Sequence, residues 1–471
     1  MRTVSNYRMY GPMPIFNFQC RLFSIGLYVA LAFLLASCNL EPIGGNDHNG
    51  IDAGDISAKI IGGSGQDEAN KIIQTSDGGF LITGSTTSND GDFLGLGIRQ
   101  RDIHLTKLAA NGSVEWIRTF GGSGTDVAND LIEDRAGNFV IAGVSNSNDG
   151  DFSGQNRGGT DLFLIKVRPN GELLWARKYG GSGNDVAHAI IQAPGNGYFV
   201  AGSTESSDLT FFIKDNTSRD AFVILTDLNG EPIWARTAGG TSTDEAFGIG
   251  ITLRNGIVIT GSYQSQNGNF TGLNPGNAGV FTLELDVNGQ FIALVSYAGD
   301  GVDIGRSIRQ TNDGGFIMAG SSDSSSGIFS DNNTGSQNAF LMKLSSNYTT
   351  EWVKVIRGSS NDAAFDAIQT TNNQYIITGE SQSDDADFND LNLGGSDVFL
   401  AKADQTGSLL WINTFGGSGS EGARSLVQTS SNETAVAGWA ESTDGIFENS
   451  SGGRNVFFFL TDTDGNLRAV Q

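Results

Sequence analysis

Acidic residues recur at a constant spacing along this 471-residue chain and are its first candidates for chemistry. Each follows a copy of the motif that begins Gly62-Gly63-Ser64-Gly65, and successive acids are 59 residues apart. A ring of such carboxylates could bind a cation or face a basic partner. Alternatively, each could accept backbone N–H groups within its own turn, as aspartate does in tight turns. We term these residues the link acids: Asp67, Asp126, Asp185, Asp244, Asp303, Asp362 and Glu421.

A second group of acids comes in pairs, with one small residue between the two aspartates of each pair. Two carboxylates around a small residue are typical of a fragment of a Ca²⁺-binding loop. Calcium takes roughly 6–8 oxygen ligands, so one pair supplies only part of a site. The spacing permits Ca²⁺ but requires no cofactor, since ordinary turns also use aspartate. The pairs are Asp90 and Asp92, Asp149 and Asp151, and Asp385 and Asp387.

One position differs among copies that otherwise match. It directly follows a small residue near the end of each motif, such as Ala69 in the first copy. Its residues are amide, aromatic and basic, so the set could bind an anionic or aromatic group. Packing peculiar to each copy is the alternative interpretation. We term these residues the variable positions: Asn70, Asn129, His188, Phe247, Arg306, Phe365 and Arg424.

Catalytic motifs have little support in the sequence. The chain has 3 histidines and shows no pattern of a Ser–His nucleophile, a zinc ligand set or a phosphate-binding loop. The glycine-rich motif precedes a strand pattern rather than a helix, which argues against a dinucleotide loop. Two carboxylates acting as in a glycosidase stay an alternative, because the sequence does not give their separation.

The unit that positions these residues contains four segments of β type, as the second copy illustrates. They are Asp126–Glu133, Phe139–Ser145, Asp161–Val167 and Glu172–Tyr179, and an Asn-Gly turn precedes the last of them. Asn-Gly is a strong hairpin signal, and no segment shows a sustained helical period. Four short strands in a repeat of this length are typical of one propeller blade. The sequence therefore predicts an all-β fold, a single seven-bladed β-propeller of four-stranded antiparallel blades over residues 56–471.

Closure of this ring is predicted to use the start of the repeat region. The segment Ile56–Ile61 is in register with the fourth strands, since Ile61 lies 59 residues before Phe120. It enters the first repeat through the same glycine-rich link that joins one blade to the next. We therefore expect Ile56–Ile61 to supply the outer strand of the seventh blade, with Asn466–Gln471 as a competing or extra edge strand. Closure leaves few exposed strand edges.

The repeat pattern carries a resemblance to a known family. The motif Gly-Gly-Ser-Gly-x-Asp-x-Ala is followed in the first copy by Asp77-Gly78-Gly79-Phe80, Gly84-Ser85-Thr86 and Ser88-Asn89-Asp90-Gly91-Asp92-Phe93. This pattern resembles the bacterial β-propeller repeat of secreted and surface proteins, over all seven units. The resemblance implies a propeller in an extracytoplasmic setting. It implies no defined activity, because a fold does not fix a function.

The N-terminus has the pattern of an export signal. Arg21 precedes the apolar run Leu22–Ala36, which is short for a membrane span and typical of the apolar core of a signal peptide. The run ends in Leu35-Ala36-Ser37-Cys38, which resembles the bacterial lipobox. The resemblance implies removal of residues 1–37 and lipidation of Cys38. An ordinary signal peptide with a coincidental cysteine is the alternative.

The residues around the signal lead to three further expectations. Residues 38–55 show no periodicity and are predicted to form a flexible tether. Residues 1–19 are long for the start of a signal peptide, so translation from Met9 or Met13 stays open. The second cysteine, Cys20, lies inside the signal, so the mature chain is expected to form no internal disulfide.

The net charge of the chain limits the classes of partner that it is expected to bind. The chain has 52 acidic and 28 basic residues and a formal net charge of −24, which disfavours nucleic acid and anionic lipid headgroups. The sequence therefore predicts an exported monomer, lipid-anchored through Cys38 to the cell envelope, with the outer membrane as the expected location. Its expected function is a binding or scaffold module for a protein or glycan partner. The alternatives are a carbohydrate-active enzyme with carboxylates in a central funnel and a Ca²⁺-dependent surface adhesin.

Overall fold

The computed structural model describes residues 57–211, 214, 218–330, 336–451 and 453–471. The predicted signal sequence, Cys38 and the predicted tether lie outside the described residues, so the predictions made for them are not addressed by the fold. In the described part of the chain, no helix is long and apolar enough to cross a membrane.

Each repeat folds into one antiparallel sheet in which strands that follow one another in sequence are neighbours. We number the blades 1 to 7 by their first strands, which are Asp67–Gln74, Asp126–Glu133, Asp185–Gln192, Asp244–Ile251, Asp303–Gln310, Asp362–Gln369 and Glu421–Gln428. The second strands are Phe80–Thr86, Phe139–Ser145, Tyr198–Thr204, Ile257–Tyr263, Phe316–Ser322, Tyr375–Ser381 and Thr434–Ala440. The third strands are Asp102–Leu108, Asp161–Val167, Asp220–Thr226, Gly279–Leu285, Asn338–Leu344, Asp397–Ala403 and Asn455–Thr461.

Six blades have a continuous fourth strand at their outer edge, namely Val114–Phe120, Leu173–Tyr179, Pro232–Ala238, Phe291–Tyr297, Thr350–Ile356 and Leu409–Phe415. Short 3₁₀ turns lie in the loops between second and third strands, at Gly91–Phe93, Gly150–Phe152, Leu209–Phe211, Gly268–Phe270, Gly327–Phe329, Ala386–Phe388 and Gly445–Phe447. Each first strand lies beside the first strands of both neighbouring blades, and blade 7 meets blade 1. The predicted seven-bladed β-propeller with four-stranded antiparallel blades is confirmed.

Both ends of the repeat region complete the outer edge of blade 7. Lys59–Ile61 pairs antiparallel with one half of the third strand Asn455–Thr461. Leu467–Arg468 pairs antiparallel with the other half of that strand. The predicted closure by an N-terminal strand is therefore confirmed. The C-terminal segment is the extra edge strand of the two roles expected for it, and it does not compete with the N-terminal strand, because the two short strands occupy different halves of one edge.

Apolar packing is concentrated between adjacent blades. At the closure, Ile72 and Phe80 of blade 1 pack in one buried cluster with Ala435 and Phe458 of blade 7. The rings of Phe80 and Phe458 have their centroids 5.0 Å apart. Ile61 belongs to the same cluster and is fully buried. Because each interface buries side chains from two blades, the position of each first strand depends on both of its neighbours.

A β-bulge interrupts the first strand of each blade at an equivalent point. In blade 1 the pairing with the second strand shifts between Ala69 and Lys71, which leaves Asn70 without an opposite residue. Equivalent shifts occur in the other six blades. The second strand must have glycine here, since a Cβ on Gly84 would lie 1.8 Å from the carbonyl oxygen of Glu68. The recurring glycine and the variable position are therefore two parts of one bulge, a feature that often re-aims a side chain.

Candidate functional site

The seven variable positions are the bulge residues of the first strands, next to the axis. Each of their side chains is partly exposed, between the buried core and the open surface. They lie two to three residues beyond the links that join the blades, so they share one end of the axis. We call this set the axial mouth.

The two asparagines of the axial mouth form side-chain hydrogen bonds within the protein. Asn70 donates its side-chain N–H to the carbonyl oxygen of Ala128 in the next blade, at 2.8 Å. Asn129 makes the same bond to Ala187 one blade further on, also at 2.8 Å. These two asparagines connect neighbouring blades and use a donor in doing so.

The remaining bulge residues form a ladder of rings and cations. The rings of His188 and Phe247 have centroids 5.0 Å apart. The guanidinium of Arg306 lies 5.9 Å from the Phe247 centroid and 4.7 Å from that of Phe365. Phe365 also contacts a second arginine, because the guanidinium of Arg424 lies 3.9 Å from the Phe365 centroid. Contacts of this type contribute about 0.5–2 kcal/mol each. We call these five residues the cation–aromatic ladder.

Residues from other strands extend the ladder, and the sequence did not lead us to them. The guanidinium of Arg424 lies 5.8 Å from the ring of Trp439, and that of Arg454 lies 3.9 Å from the same ring. Glu380 holds Arg424 at 3.0 Å. Glu380 and Trp439 each directly follow the recurring second-strand glycine, where four of the other five copies have serine. That departure from the repeat was the signal that could have identified them.

Ion pairs neutralise most arginines around the axial mouth. Arg454 lies 2.6 Å from Glu68, and Arg219 lies 3.1 Å from Glu245. Arg306 differs from them: its Nε is buried without a hydrogen-bond partner among the described residues, and no ion pair of those residues includes it. Burial, with repulsion from a second arginine, lowers the pKa of Arg306 to about 10, so it is still charged at neutral pH.

His188 stands at one end of the ladder as a neutral ring. Burial lowers its pKa to about 4, and the nearby charges of Arg219 and Arg306 act in the same direction. Its Nε2 has no hydrogen-bond partner among the residues the structure describes. The ladder therefore contains two buried nitrogen atoms, one on His188 and one on Arg306, whose hydrogen-bonding capacity is unused.

A second layer of charges lies next to the bulge residues. Lys71 lies 3.3 Å from Asp130, and Arg309 lies 2.9 Å from Asp366. Although burial opposes it, the charges of Arg309 and Lys71 hold the pKa of Asp366 below its ordinary value. A glycosidase acid needs a raised pKa in order to donate a proton at neutral pH. Asp366 is therefore suited to pairing with cations and not to proton donation.

The link acids lie at the first residue of each first strand, and their side chains are buried. In blade 1, one oxygen of Asp67 accepts the N–H of Gly63 at 2.9 Å and the hydroxyl of Ser88 at 2.7 Å. Its other oxygen accepts the hydroxyl of Thr86 at 2.6 Å. These carboxylates thus bind the link and the following loop, and present little surface to a cation or partner.

The paired loop acids bind the link from the other side. Asp90 accepts the N–H of Ser64 at 2.7 Å, and Asp92 accepts that of a link glycine at 2.9 Å. In blade 4 the same two bonds are made by Asn267 and Asn269, at 2.9 and 3.0 Å. A neutral amide therefore makes the same two bonds at these positions. Within the described ranges, no group of three or more metal-ligating side chains is arranged to hold a metal ion. Calcium binding at these loops stays an alternative to their role in turns.

Another buried acid, at the start of the third strand, was not singled out from the sequence. Burial, and then the charge of the link acid Asp126, raises the pKa of Asp102 to about 6. One oxygen of Asp102 has no hydrogen-bond partner among the described residues. In blade 2 the equivalent Asp161 has the buried ammonium of Lys178 at 3.6 Å, whereas blade 1 has Thr119 in place of that lysine. Two blades have a neutral amide at this position, Asn338 and Asn455.

The chain is a seven-bladed β-propeller in which the bulge residues of blades 3 to 7 differ from the asparagines of blades 1 and 2. Similarity to known proteins adds little to this description. No family model matches the sequence. The regulatory protein FlaEY of Caulobacter vibrioides is 26% identical over 243 residues, which cover 49% of this chain and 24% of that protein. An uncharacterized WD repeat-containing protein of Acanthamoeba polyphaga mimivirus is 21% identical over 206 residues, 36% of this chain and 15% of that protein. The chain thus spans about a quarter or less of these relatives.

The solved structures that align with this chain are distant from it in sequence. BamB from Moraxella catarrhalis has 11% identity and a TM-score of 0.40, over 85% of both chains. YCF48 bound to D1 peptide has 10% identity and a TM-score of 0.43, over 87% of this chain and 99% of that one. At these values the similarity carries no functional argument, so the function has to be argued from the axial mouth itself.

Proposed function

We propose that this chain is a lipid-anchored β-propeller of the bacterial cell envelope that binds a protein or glycan partner at the axial mouth. The proposal joins two parts of the chain. The lipobox-like sequence at Cys38 supplies the anchor, and the variable positions supply the binding site.

One observation carries the binding proposal: two neighbouring residues of the variable set, His188 and Arg306, have buried nitrogen atoms without a hydrogen-bond partner among the described residues. The link acids and loop acids recur and accept hydrogen bonds from the turns around them, although one oxygen of Asp126 has no partner among the described residues. The bulge residues differ from blade to blade, and Arg306 has a buried nitrogen without a partner among the described residues. Residues that serve only the fold are expected to be the same in every repeat. Bulge residues that differ between blades and have unpaired buried nitrogen atoms are therefore best explained by a ligand.

Photo-crosslinking tests where a partner binds. The photoreactive amino acid p-benzoylphenylalanine would replace Phe247 at the axial mouth or Phe291 on the outer strand of the same blade, in cells of the source bacterium. Both positions have an aromatic ring in the wild type, and Phe291 is 40% exposed. The variant at position 291 is therefore a matched control for the variant at position 247. We expect a discrete crosslinked product from position 247 alone. Equal products from both positions, or none from position 247, would contradict binding at the axial mouth.

Metabolic labelling with palmitate tests the anchor separately. The wild-type protein should incorporate label and stay with the membrane fraction, whereas Cys38→Ala should be unlabelled and released. An unlabelled wild-type protein would remove the lipid anchor from the proposal and leave the binding site untouched.

A further inference from the structure

Arg306 differs from the other arginines of the ladder in its pairing. Arg424 is held by Glu380 at 3.0 Å, and Arg454 by Glu68 at 2.6 Å. Arg306 has no such partner among the described residues, and its Nε is buried and unbonded. A guanidinium carries five N–H donors in one plane, so Arg306 can still donate several hydrogen bonds.

The two rings beside Arg306 cover the faces of its guanidinium and leave the N–H groups at its edge as the part that can bind a ligand. Phe247 and Phe365 lie 5.9 and 4.7 Å from the guanidinium carbon and hold the group between them. Contacts with two rings fix the guanidinium and limit the entropy that a ligand must remove on binding. A planar group with two oxygen atoms matches the free N–H edge in a bidentate geometry. The geometry favours a carboxylate.

Charge around Arg306 favours a ligand with one carboxylate over a polyanion. Glu380 and Glu245 are close enough to affect its charge state electrostatically. Glu68, two residues before Asn70, lies 2.6 Å from Arg454, and the whole chain has a net charge of −24. A phosphate or a polyuronate would bring further negative charge against these acids. The terminal carboxylate of an otherwise neutral or basic chain would not.

We infer that the axial mouth binds the C-terminal carboxylate of a peptide of neutral or positive net charge, through the guanidinium of Arg306 held between Phe247 and Phe365. The inference rests on the proposed function and names its ligand class. Glu380 and Glu245, which act on Arg306 electrostatically, favour basic or neutral residues next to the carboxylate.

Fluorescence anisotropy with labelled synthetic peptides tests this assignment on the full-length lipoprotein in detergent. The probes are a library of short peptides of neutral or positive charge with a free C-terminus, the same peptides amidated at the C-terminus, and oligogalacturonate as a polyuronate. We expect free acids to bind, and amidation or Arg306→Gln to weaken binding about tenfold or more. Arg306→Lys keeps the charge without the planar fork and should give an intermediate loss. Arg118→Gln removes a guanidinium stacked on Trp116 of the outer strand, at 5.6 Å, and should bind as wild type.

The outcomes separate this inference from the proposed function. Amides that bind as well as acids, an Arg306→Gln variant that binds as wild type, or a library without any binder would each overturn the carboxylate assignment. Oligogalacturonate binding that is lost in Arg306→Gln would also overturn the peptide class, while keeping the axial mouth as a binding site. Thermal melting of each variant shows whether it is folded, and a folded Arg306→Lys keeps the test decisive if Arg306→Gln unfolds.

Discussion

Asp102→Asn is expected to stabilise the propeller, and to do so more at neutral than at acidic pH. The carboxyl of Asp102 is buried beside Asp126 and has one oxygen without a hydrogen-bond partner among the described residues. Its pKa is raised from 3.8 to about 6. A raised folded-state pKa means that the stability present below pH 3.8 is lost progressively as the pH rises toward 6. Asparagine cannot ionise, and two sister blades already have it, as Asn338 and Asn455.

The size of the effect follows from the pKa. Each pKa unit corresponds to 1.36 kcal/mol, so ionised Asp102 costs the folded state about 3 kcal/mol above pH 6. For a domain of this length, the melting temperature of Asp102→Asn should exceed that of wild type by about 3 °C at pH 8. The gain should shrink steadily as the pH is lowered toward 4.

Thermal melting followed by circular dichroism, from pH 4 to pH 8, measures this difference. Asp161→Asn is the matched control, because it removes the carboxylate that lies 3.6 Å from the buried Lys178. That variant should be destabilised at neutral pH, since it leaves an unpaired ammonium in the core. A loss of stability in Asp102→Asn at pH 8, or a gain independent of pH, would refute the reasoning about the buried acid.

Three further predictions concern the fold and the loops, and urea denaturation measures each. Ile61→Ala should lower the free energy of unfolding by about 2–5 kcal/mol, since a fully buried side chain in the closure is truncated; an unchanged value would contradict the closure. Gly84→Ala should cost about 3 kcal/mol, because its Cβ would lie 1.8 Å from the carbonyl oxygen of Glu68; a neutral effect would argue against the bulge. The double variant Asp90→Asn/Asp92→Asn should change the free energy of unfolding by less than about 1 kcal/mol. Added Ca²⁺ should leave the free energy of unfolding unchanged in both the wild type and the double variant. A Ca²⁺-dependent gain in wild type alone would favour the adhesin alternative.

The propeller could be predicted because its period is strict. Turn residues, small residues and apolar segments recur every 59 residues, so one blade read correctly gives the other six. The closure followed from the same register, since Ile61 stands at the position of Phe120 one repeat earlier. For the C-terminal strand the sequence left two roles open, competing or extra, because sequence spacing does not show that two short strands can share one edge.

The axial mouth was only partly predictable. Variation among copies identified the bulge residues, but the bulge depends on hydrogen bonds between strands that the sequence does not display. The ladder depends on contacts between blades, which placed Phe365 between Arg306 and Arg424. Asp102 was missed because its raised pKa arises from burial and from the proximity of Asp126, both of which are consequences of folding.

The most direct test of the central claim removes the ladder and leaves the repeat intact. Phe247, Arg306 and Phe365 would be replaced together by asparagine, the residue that blades 1 and 2 have at this position. The partner identified by crosslinking from position 247 would then be titrated against the wild-type and triple-variant proteins by calorimetry. We predict a loss of affinity of about a hundredfold or more, with the melting transition still cooperative. An unchanged affinity in a folded triple variant would contradict a function located at the axial mouth.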